Sequence, residues 1–265
     1  MRILLLFLYD LNFRPLFLAV TLVAGALVLS GCASQEALQA EGGIYDPYEE
    51  DNRQTHAFNK AADKYLVDPL SQGYGNSTSG GVREVVGNFS SHLSLPNDVI
   101  NNVLQGDFGY AAQNTGRFLL NTFVGFAGFL DPAEELNMPR VRADFGQTLH
   151  VWGAGEGAYV ELPFWGPSTS RDTVGIFVDL ALDPFFVVLR SPETYIGGVA
   201  YILDAMGSRY TFDATVDSVL YDSADSYAQA RSIYLQNRRY ELGITGEDLY
   251  LDPYSDPYSD PYEDF

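Results

Sequence analysis

The amino-acid sequence predicts a mainly α-helical fold. Apolar residues recur every three or four positions in several segments, which places them on one face of a helix. Two further stretches, 118–130 and 176–189, are apolar on nearly every face but fall short of the roughly 20 residues that a membrane-spanning helix needs. The first is therefore either a buried core helix or a segment that enters a membrane without crossing it, and neither stretch can span a membrane alone.

The composition limits the classes of function. The chain has 265 residues, with 15 Lys and Arg against 35 Asp and Glu, so its net charge is -20. This charge excludes most nucleic-acid binding, because a phosphate backbone needs a basic footprint. Hydrophobic residues make up 46% of the chain, which is too apolar for a disordered protein. One cysteine and three widely spaced histidines predict no disulfide and no metal site.

Residues 1–31 have the features of a lipoprotein signal peptide. A positively charged start is followed by short apolar runs, and the segment ends in Leu-Ser-Gly-Cys. That string resembles a bacterial lipobox, whose cysteine is acylated and becomes the first mature residue. Cys32 is the sole cysteine and is therefore the predicted lipidation site. Ala33 follows it where an Asp would favour retention in the inner membrane, so the sequence favours the outer membrane.

The chain after the signal peptide divides into three parts. Residues 32–45 form a polar tether, 46–243 a helical domain, and 244–265 an acidic tail. Asp-Pro-Tyr occurs three times in the tail at a period of four residues. Because proline at every fourth position excludes a helix, we expect a disordered solvating tail rather than a partner-binding motif.

The first half of the domain contains two predicted helices before the first apolar stretch. The first begins after Asp46-Pro47 with acids in its first turn, and Asp68-Pro69 ends it. Residues 71–81 are rich in Gly, Ser and Asn and predict a loop. A short amphipathic helix follows at 97–104, with Gly106 at its C-terminus.

The second half begins with a segment that predicts a short strand or an extended loop at 159–162. Ser168 or Ser170 is expected to cap a helix that starts at Arg171-Asp172. Pro184 breaks the second apolar stretch. After Gly207, one apolar face predicts a long amphipathic helix that ends near Leu242-Gly243.

The sequence shows no active site. A Gly-x-Ser-x-Gly nucleophile elbow is absent, since the nearest string, at 75–80, misses it by one position. The Gly-x-Gly string at 153–155 is not followed by the helix that would hold a pyrophosphate, so no nucleotide cofactor is expected. His56, His92 and His150 fit surface or core positions better than catalysis. The prediction is a non-enzymatic protein without a cofactor, and the enzyme alternative is a lipid hydrolase that uses Ser168.

Several strings in one order resemble the MlaA, or VacJ-like, lipoproteins. The resemblance runs from about residue 46 to 243. The long first segment, the polar loop at 75–81 and the Asp-Pro-Tyr tail depart from the family pattern. The matching strings are Asp-Pro-Tyr-Glu-Glu-Asp-Asn-Arg with Ala-Phe-Asn (46–59), Leu-Pro-Asn-Asp-Val-Ile-Asn-Asn-Val-Leu-Gln-Gly (95–106), Gly-Arg-Phe-Leu-Leu-Asn-Thr with Gly-Phe-Ala-Gly-Phe-Leu-Asp (116–131) and Asp-Phe-Gly-Gln-Thr-Leu-His-Val-Trp-Gly (144–153).

The resemblance implies an outer-membrane lipoprotein that takes misplaced phospholipids from the outer leaflet and passes them to a periplasmic MlaC-like carrier. It implies a ring of short amphipathic and re-entrant helices, embedded in one leaflet around an amphipathic channel, often beside an outer-membrane porin trimer. It implies no covalent chemistry. The alternative is a porin-associated structural lipoprotein without transport activity.

Candidate site residues come from the resemblance and from the apolar runs. The resemblance places Asn52, Phe58 and Asn59 near the channel as candidate gate residues. Polar groups within apolar runs are candidates for the polar part of the channel, although helix–helix hydrogen bonds would explain the two neutral ones equally well. These residues are Asn121, Thr122 and Asp179. The aromatic residues between the apolar stretches suit either a belt at headgroup level or an ordinary core; they are Trp152, Tyr159, Phe164 and Trp165.

Overall fold

The computed structural model describes residues 44–185, 193 and 195–244. The predicted signal peptide, Cys32, the tether up to residue 43 and the Asp-Pro-Tyr repeats lie outside the described residues. The described part is mainly helical, with one β-hairpin. Its helices are α1 (Glu49–Ala62), α2 (Asp68–Ser77), α3 (Gly80–Gln105), α4 (Phe108–Phe123), α5 (Pro132–Glu135), α6 (Phe145–Val151), α7 (Ser170–Leu182), α8 (Tyr195–Thr211), α9 (Asp213–Leu220) and α10 (Ser226–Glu241).

The first helix does not end at Asp68-Pro69 as predicted. A π-helical turn at Asp63–Val67 joins α1 directly to α2, which occupies most of the expected loop at 71–81. Pro69 is the second residue of α2 and follows the π-helical turn without a break, so it lies inside a continuous helical segment. The wider π-helical turn before it gives the proline ring room that an uninterrupted α-helix would not.

The predicted short helix at 97–104 is the C-terminal part of a helix of 26 residues, α3. The Ser79 hydroxyl accepts a hydrogen bond from the backbone N–H of Val82 and caps the N-terminus of α3. The helix continues through Pro96 and ends, as predicted, at Gly106, where φ is 82°. Pro96 therefore lies inside this helix, directly before the segment 97–104 that was predicted to be helical.

In both apolar stretches the helix ends before the last apolar residue of the stretch. α4 ends at Phe123, and the backbone then turns through residues 124–130 with side chains exposed to the surroundings. The alternative of a buried core helix at 118–130 is therefore wrong. α7 ends at Leu182, directly before Asp183-Pro184, which confirms the predicted break. Residues 186–189 of the second stretch lie outside the described residues.

The candidate strand at 159–162 is confirmed. β1 (Tyr159–Leu162) pairs with β2 (Gly166–Thr169) in an antiparallel hairpin. The cap of the following helix is Thr169 rather than Ser168 or Ser170, since the Thr169 hydroxyl accepts the backbone N–H of Asp172. A threonine at the end of a strand can cap the next helix as well as a serine does, and the pattern was wrong by one residue.

The C-terminal amphipathic pattern spans two helices rather than one. α9 and α10 are separated at residues 221–225, and Asp225 caps α10 by accepting the N–H of Ala228. The apolar spacing continues across this break, so the pattern alone did not reveal it. The end of α10 near Leu242-Gly243 is confirmed.

Close helix pairs build the framework. α3 packs against α4, α6 against α7, and α8 across α2 and α3. α6 and α7 approach so closely that a Cβ atom on Gly175 would lie 2.5 Å from the backbone nitrogen of Gly146. A small core of Tyr159, Tyr227 and Leu235 joins the hairpin to α10.

The distribution of polarity is unusual for a water-soluble protein. Among the described residues, more polar and charged side chains than apolar ones are buried, and many large apolar side chains are exposed. No helix in the described ranges combines the length and the apolar character needed to cross a membrane.

Candidate functional site

Two asparagines of α1 hold the outer edge of β1. The Asn52 side chain donates to the carbonyl of Tyr159 at 3.2 Å and accepts the N–H of Glu161 at 2.9 Å. The Asn59 side chain donates to the carbonyl of Leu162 at 3.0 Å and accepts the N–H of Phe164 at 2.8 Å. The two residues lie two helical turns apart and so share one face. Each amide pairs with β1 as a neighbouring strand would, and together they fix the hairpin to α1.

The turn of this hairpin presents aromatic side chains. Phe164 has a φ of 66° and is 67% exposed, and Trp165 is exposed beside it. The Phe58 ring meets that of Phe164 edge to face, with centroids 5.1 Å apart. The candidate gate residues therefore meet at one place, the junction of α1 with the hairpin turn.

The other exposed aromatic candidates differ from one another. Trp152 is exposed, and its indole N–H donates to the carbonyl of Leu104 at 3.0 Å. Tyr159 is only 1% exposed and belongs to the core. Trp152, Phe164 and Trp165 are therefore available for an aromatic belt, whereas Tyr159 takes the core position that was the other alternative.

Asn121 and Thr122 lie at the end of α4, where the chain turns out of the helix. The Asn121 side chain donates to the Asp131 carboxylate at 2.8 Å and accepts the N–H of Ala133 at 3.2 Å. The Thr122 hydroxyl donates to the carbonyl of Phe118 and lies 3.3 Å from Nε2 of His92. The bonds of Asn121 hold the two ends of the turn at 124–130 together, and Thr122 connects the end of α4 to His92 of α3.

The turn is held by further charged and backbone contacts. The buried Arg117 guanidinium pairs with Asp131 and Glu134 and donates to the carbonyl of Met138. Sequence reasoning missed this buried, ion-paired arginine. The signal for it was an arginine at the tenth position of a helix that becomes more apolar after it, since a buried arginine requires an acidic partner.

We call residues 123–130 the apolar loop. Phe126 and Ala127 have φ values of 54° and 59°, which cost non-glycine residues about 1–2 kcal/mol each. Gly128 lies against His92, and a Cβ atom there would be 2.3 Å from its ring. The loop exposes large apolar side chains in a fixed conformation, with Phe123 81% exposed. These side chains are Phe123, Val124, Phe126, Phe129 and Leu130.

The His92 ring packs between the apolar loop and Phe118. Its ring stacks on that of Phe118, with centroids 4.7 Å apart. Burial lowers the pKa of His92 below its usual value, although the nearby Asp131 carboxylate opposes this. The loop therefore rests on a neutral ring.

Asp179 lies on α7 and bridges three elements. Its carboxylate accepts hydrogen bonds from the side chains of Asn97 at 3.0 Å and Asn101 at 2.8 Å, and from the N–H of Phe145 at 2.9 Å. Burial raises the pKa of Asp179, and these hydrogen bonds oppose the rise. Asp179 also borders a cavity of about 330 Å³ between α7 and α10.

The charges of Arg238, Asp144 and Asp172 at this cavity are paired with one another. The Arg238 guanidinium bridges Asp144 at 2.7 Å and Asp172 at 2.9 Å. Although burial alone would raise it, hydrogen bonds from Arg238 and the charge of Arg171 lower the pKa of Asp172 to about 2. Sequence reasoning missed this cluster because abundant acids gave no reason to select these ones.

The chemistry of the described residues is otherwise sparse. They include no group of three or more His, Cys, Asp or Glu that could hold a metal ion. Ser168 is buried, and its hydroxyl contacts Thr173 Oγ1 at 3.0 Å and the carbonyl of Thr169. These contacts give Ser168 a structural role and no histidine as a base.

Comparison with known proteins identifies relatives over most of the chain. A family model described as the MlaA lipoprotein matches residues 44–241. The MlaA lipoprotein of the intermembrane phospholipid transport system of Escherichia coli (strain K12) is 34% identical over 223 residues, 83% of this chain and 86% of that protein. An uncharacterized protein of Rickettsia bellii (strain RML369-C) is 34% identical over 197 residues, 74% of this chain and 76% of that protein.

A solved structure gives the same relationship in three dimensions. It comes from work on the structural basis for maintenance of bacterial outer membrane lipid asymmetry. Its chain aligns with a TM-score of 0.64 and 29% identity, covering 74% of this chain and 98% of that chain. This likeness confirms the mainly helical fold class that the sequence predicts.

Proposed function

The chain belongs to the MlaA lipoprotein family, and on that premise we propose that it removes mislocalised phospholipids from the outer leaflet of the outer membrane. It passes them to a periplasmic MlaC-like carrier and so maintains lipid asymmetry. The names of the Escherichia coli and Haemophilus influenzae relatives, which refer to an intermembrane phospholipid transport system, support this proposal. The transfer needs no covalent chemistry. The protein is anchored by acylated Cys32 on the periplasmic side of the outer membrane.

The reversed polarity of the molecule is the observation that carries the proposal. Large apolar side chains are exposed on several helices, while Asn101, Asn102 and Asn114 are almost completely buried. Acyl chains can cover the exposed apolar surface without spanning helices, because short helices are stable in one leaflet when their joints are buried in protein or face a wet cavity. A ring of helices in the inner leaflet satisfies both conditions.

The apolar loop is the element that we place deepest in the leaflet. Its exposed phenylalanines, Phe123, Phe126 and Phe129, would each gain about 1.5–3 kcal/mol on leaving water. Its backbone is fixed by Asn121 and Arg117, so little ordering is needed on insertion. In this proposal Asn121 and Thr122 shape the loop and do not line the channel.

The junction of α1 with the hairpin is the proposed gate. Asn52 and Asn59 hold the hairpin through its backbone, and Phe58 contacts its aromatic turn. A lipid that passes this turn meets exposed aromatic rings on one side. Asp179, at the rim of the cavity between α7 and α10, is the proposed polar group of the channel.

Lipid transfer from proteoliposomes tests the proposal. The purified acylated protein is reconstituted with a radiolabelled phospholipid, and the label acquired by a soluble MlaC-like carrier is measured. The proposal expects transfer that depends on the protein. Copurification with a porin trimer without any transfer would instead favour the structural lipoprotein.

The anchor is tested separately by Cys32→Ala in cells. This variant should be made and folded but should fractionate away from the outer membrane. Retention of Cys32→Ala in the outer membrane at the wild-type level would contradict anchoring through acylated Cys32.

A further inference from the structure

Three side chains from distant parts of the chain form a hydrogen-bonded relay. Nε2 of His56 lies 3.1 Å from Oγ of Ser226, and Nδ1 of His56 lies 2.9 Å from Oε1 of Glu161. The residues come from α1, the first position of α10 and β1. A nucleophile, a base and a carboxylate in this order are the arrangement that activates serine for acyl transfer.

The direction of the relay follows from the partners of Glu161. Its carboxylate also accepts hydrogen bonds from the Tyr159 hydroxyl at 3.1 Å and from the Asn59 amide at 3.2 Å. A carboxylate held by donors accepts from Nδ1–H of His56, which leaves the lone pair on Nε2 facing Ser226. His56 is thus oriented as a base towards the serine hydroxyl.

Lys60 completes the group on the other side of the serine. Its ammonium donates to Oγ of Ser226 at 3.4 Å. A cation at this distance stabilises an alkoxide on the serine and an oxyanion formed beside it. The backbone N–H of Ala228 cannot do so, because the Asp225 carboxylate already accepts it at 3.1 Å.

The four residues differ in burial, and a reactive site needs a nucleophile that is more accessible than its base. His56 and Glu161 are buried, whereas Ser226 and Lys60 are partly exposed. A small electrophile can therefore reach the serine while water is kept from the His56–Glu161 pair. The apolar loop and the cavity between α7 and α10 do not include these four residues, whereas His56 and Glu161 lie at the junction of α1 with the hairpin, beside the gate residue Asn59.

We propose that Ser226 is a nucleophile that hydrolyses carboxylic esters, with His56 as its base and Lys60 holding the oxyanion. Oγ attacks the ester carbonyl carbon while its proton passes to Nε2 of His56. The carbon–oxygen bond to the alcohol breaks, and the alcohol leaves with that proton. Water then attacks the acyl-serine, gives a proton to His56 and releases the carboxylic acid as Ser226 regains its proton. Glu161 is a positioning residue in this reaction.

The test is reaction of the full-length purified protein with a serine-directed fluorophosphonate, with the labelled residue identified by peptide mass spectrometry. The proposal expects one label, on Ser226, and none in Ser226→Ala. Removal of the base in His56→Gln should slow labelling by roughly 100-fold or more, as general-base catalysis contributes at least that much. The control is Ser223, three residues away, whose hydroxyl donates to the carbonyl of Val219; Ser223→Ala should react at the wild-type rate.

Two further measurements keep the proposal falsifiable if His56→Gln fails to fold. Lys60→Met changes a partly exposed side chain, and with an unchanged circular dichroism spectrum it should still lower the labelling rate by tenfold or more. Hydrolysis of p-nitrophenyl butyrate should fall in parallel. An unlabelled wild-type protein, or equal labelling of Ser226→Ala, would overturn the proposal and leave the relay as a structural network.

Discussion

At the scale of single residues, asparagine amides replace strand partners that the hairpin lacks. An amide side chain carries one donor group and one acceptor, as a peptide unit does, so it can satisfy both groups at the edge of a strand. Asn52 and Asn59 each do this for β1. Neither the shorter serine nor the acceptor-only aspartate offers the same pair of bonds.

Replacement of Asn52 by leucine should loosen the hairpin. The change leaves the N–H of Glu161 and the carbonyl of Tyr159 buried without these partners, at about 1–3 kcal/mol for each group. Hydrogen exchange should accelerate across β1 while α4 stays protected. Gln54→Leu, on the exposed face of the same helix, is the control and should leave exchange unchanged. Equal protection of β1 in both variants would contradict the role of the Asn52 amide in holding β1.

Asp172 should make folding stability depend on acid pH. Its pKa in the folded protein is about 2, below the usual value. Ionised Asp172 therefore stabilises the fold above about pH 4, and this stabilisation is lost as the pH falls through the folded value. Asp172→Asn should lower stability at pH 7 by about 3–5 kcal/mol, because it removes the carboxylate that pairs with buried Arg171 and one of the carboxylates that pair with buried Arg238.

Urea unfolding between pH 7 and pH 2 checks this dependence. The stability difference between wild type and Asp172→Asn should narrow as the pH falls below 4. Asp222→Asn, at an exposed position, should follow the wild-type curve throughout. A difference that is the same at pH 7 and pH 2 would show that the Asp172 charge does not contribute.

Residue identity alone could not select the candidate site. Asn121, Thr122 and Asp179 were predicted as polar groups of the channel, and the structure shows each of them hydrogen-bonded within the protein. Their partners, such as Asp131 and Ala133, depend on how the chain turns after α4. Asn52, Phe58 and Asn59 came from resemblance, because nothing in the sequence of α1 reveals the strand that it will meet.

At the scale of elements, the apolar loop combines exposed phenylalanines with a fixed backbone. A loop with no partner would be expected to turn Phe126 inward or to relax its positive φ. The ion pair of Arg117 and the hydrogen bond of Asn121 with Asp131 fix the ends of the loop and oppose both changes. The loop is therefore built to present apolar side chains to a surface outside the chain.

The double variant Phe126→Ser with Phe129→Ser should weaken binding to phospholipid vesicles. Two exposed rings contribute roughly 3 kcal/mol on burial, which corresponds to about 100-fold in partitioning. The measurement is cosedimentation in a Cys32→Ala background, so that acyl chains do not mask the effect. Ile233→Ser, which removes a half-exposed apolar side chain on α10, should have little effect. Equal losses in the two variants would contradict a specific role for the loop.

The contact between α6 and α7 should not tolerate a larger residue. A Cβ atom at Gly175 would lie within 3.0 Å of the Gly146 backbone, so Gly175→Ala must separate the helices. Overpacking of this kind costs about 1–3 kcal/mol, and thermal unfolding should show a lower Tm. Gly197→Ala in α8, where a Cβ atom meets open space, should leave the Tm unchanged or raise it. A wild-type Tm for Gly175→Ala would show that the helices can separate without cost.

Pro69 does not end the first helix as predicted, so prolines in this chain do not all mark helix ends. Pro69 and Pro96 both lie inside continuous helical segments, because a π-helical turn precedes the first and the long α3 passes through the second. Pro184 did mark a helix end. A proline inside a helix has a known free-energy cost, and packing against neighbouring helices determines whether the helix continues through it.

At the scale of the whole molecule, the hydrophobic composition does not reveal where apolar side chains lie. A content of 46% hydrophobic residues suits a soluble core equally well. The structure places polar side chains such as Asn101 inside and apolar ones such as Phe123 outside. Helical periodicity identifies an apolar face, and only the packed structure shows whether that face meets protein or lipid.

Outer-leaflet phospholipid in cells that lack the gene tests the central claim most directly. Wild-type protein should return the outer leaflet to its normal low phospholipid content. The Phe126→Ser, Phe129→Ser variant, present in equal amount, should leave phospholipid in the outer leaflet, and Ile233→Ser should restore the normal content. An outer leaflet that is unchanged when the gene is lost would contradict phospholipid removal and make the structural lipoprotein the better account.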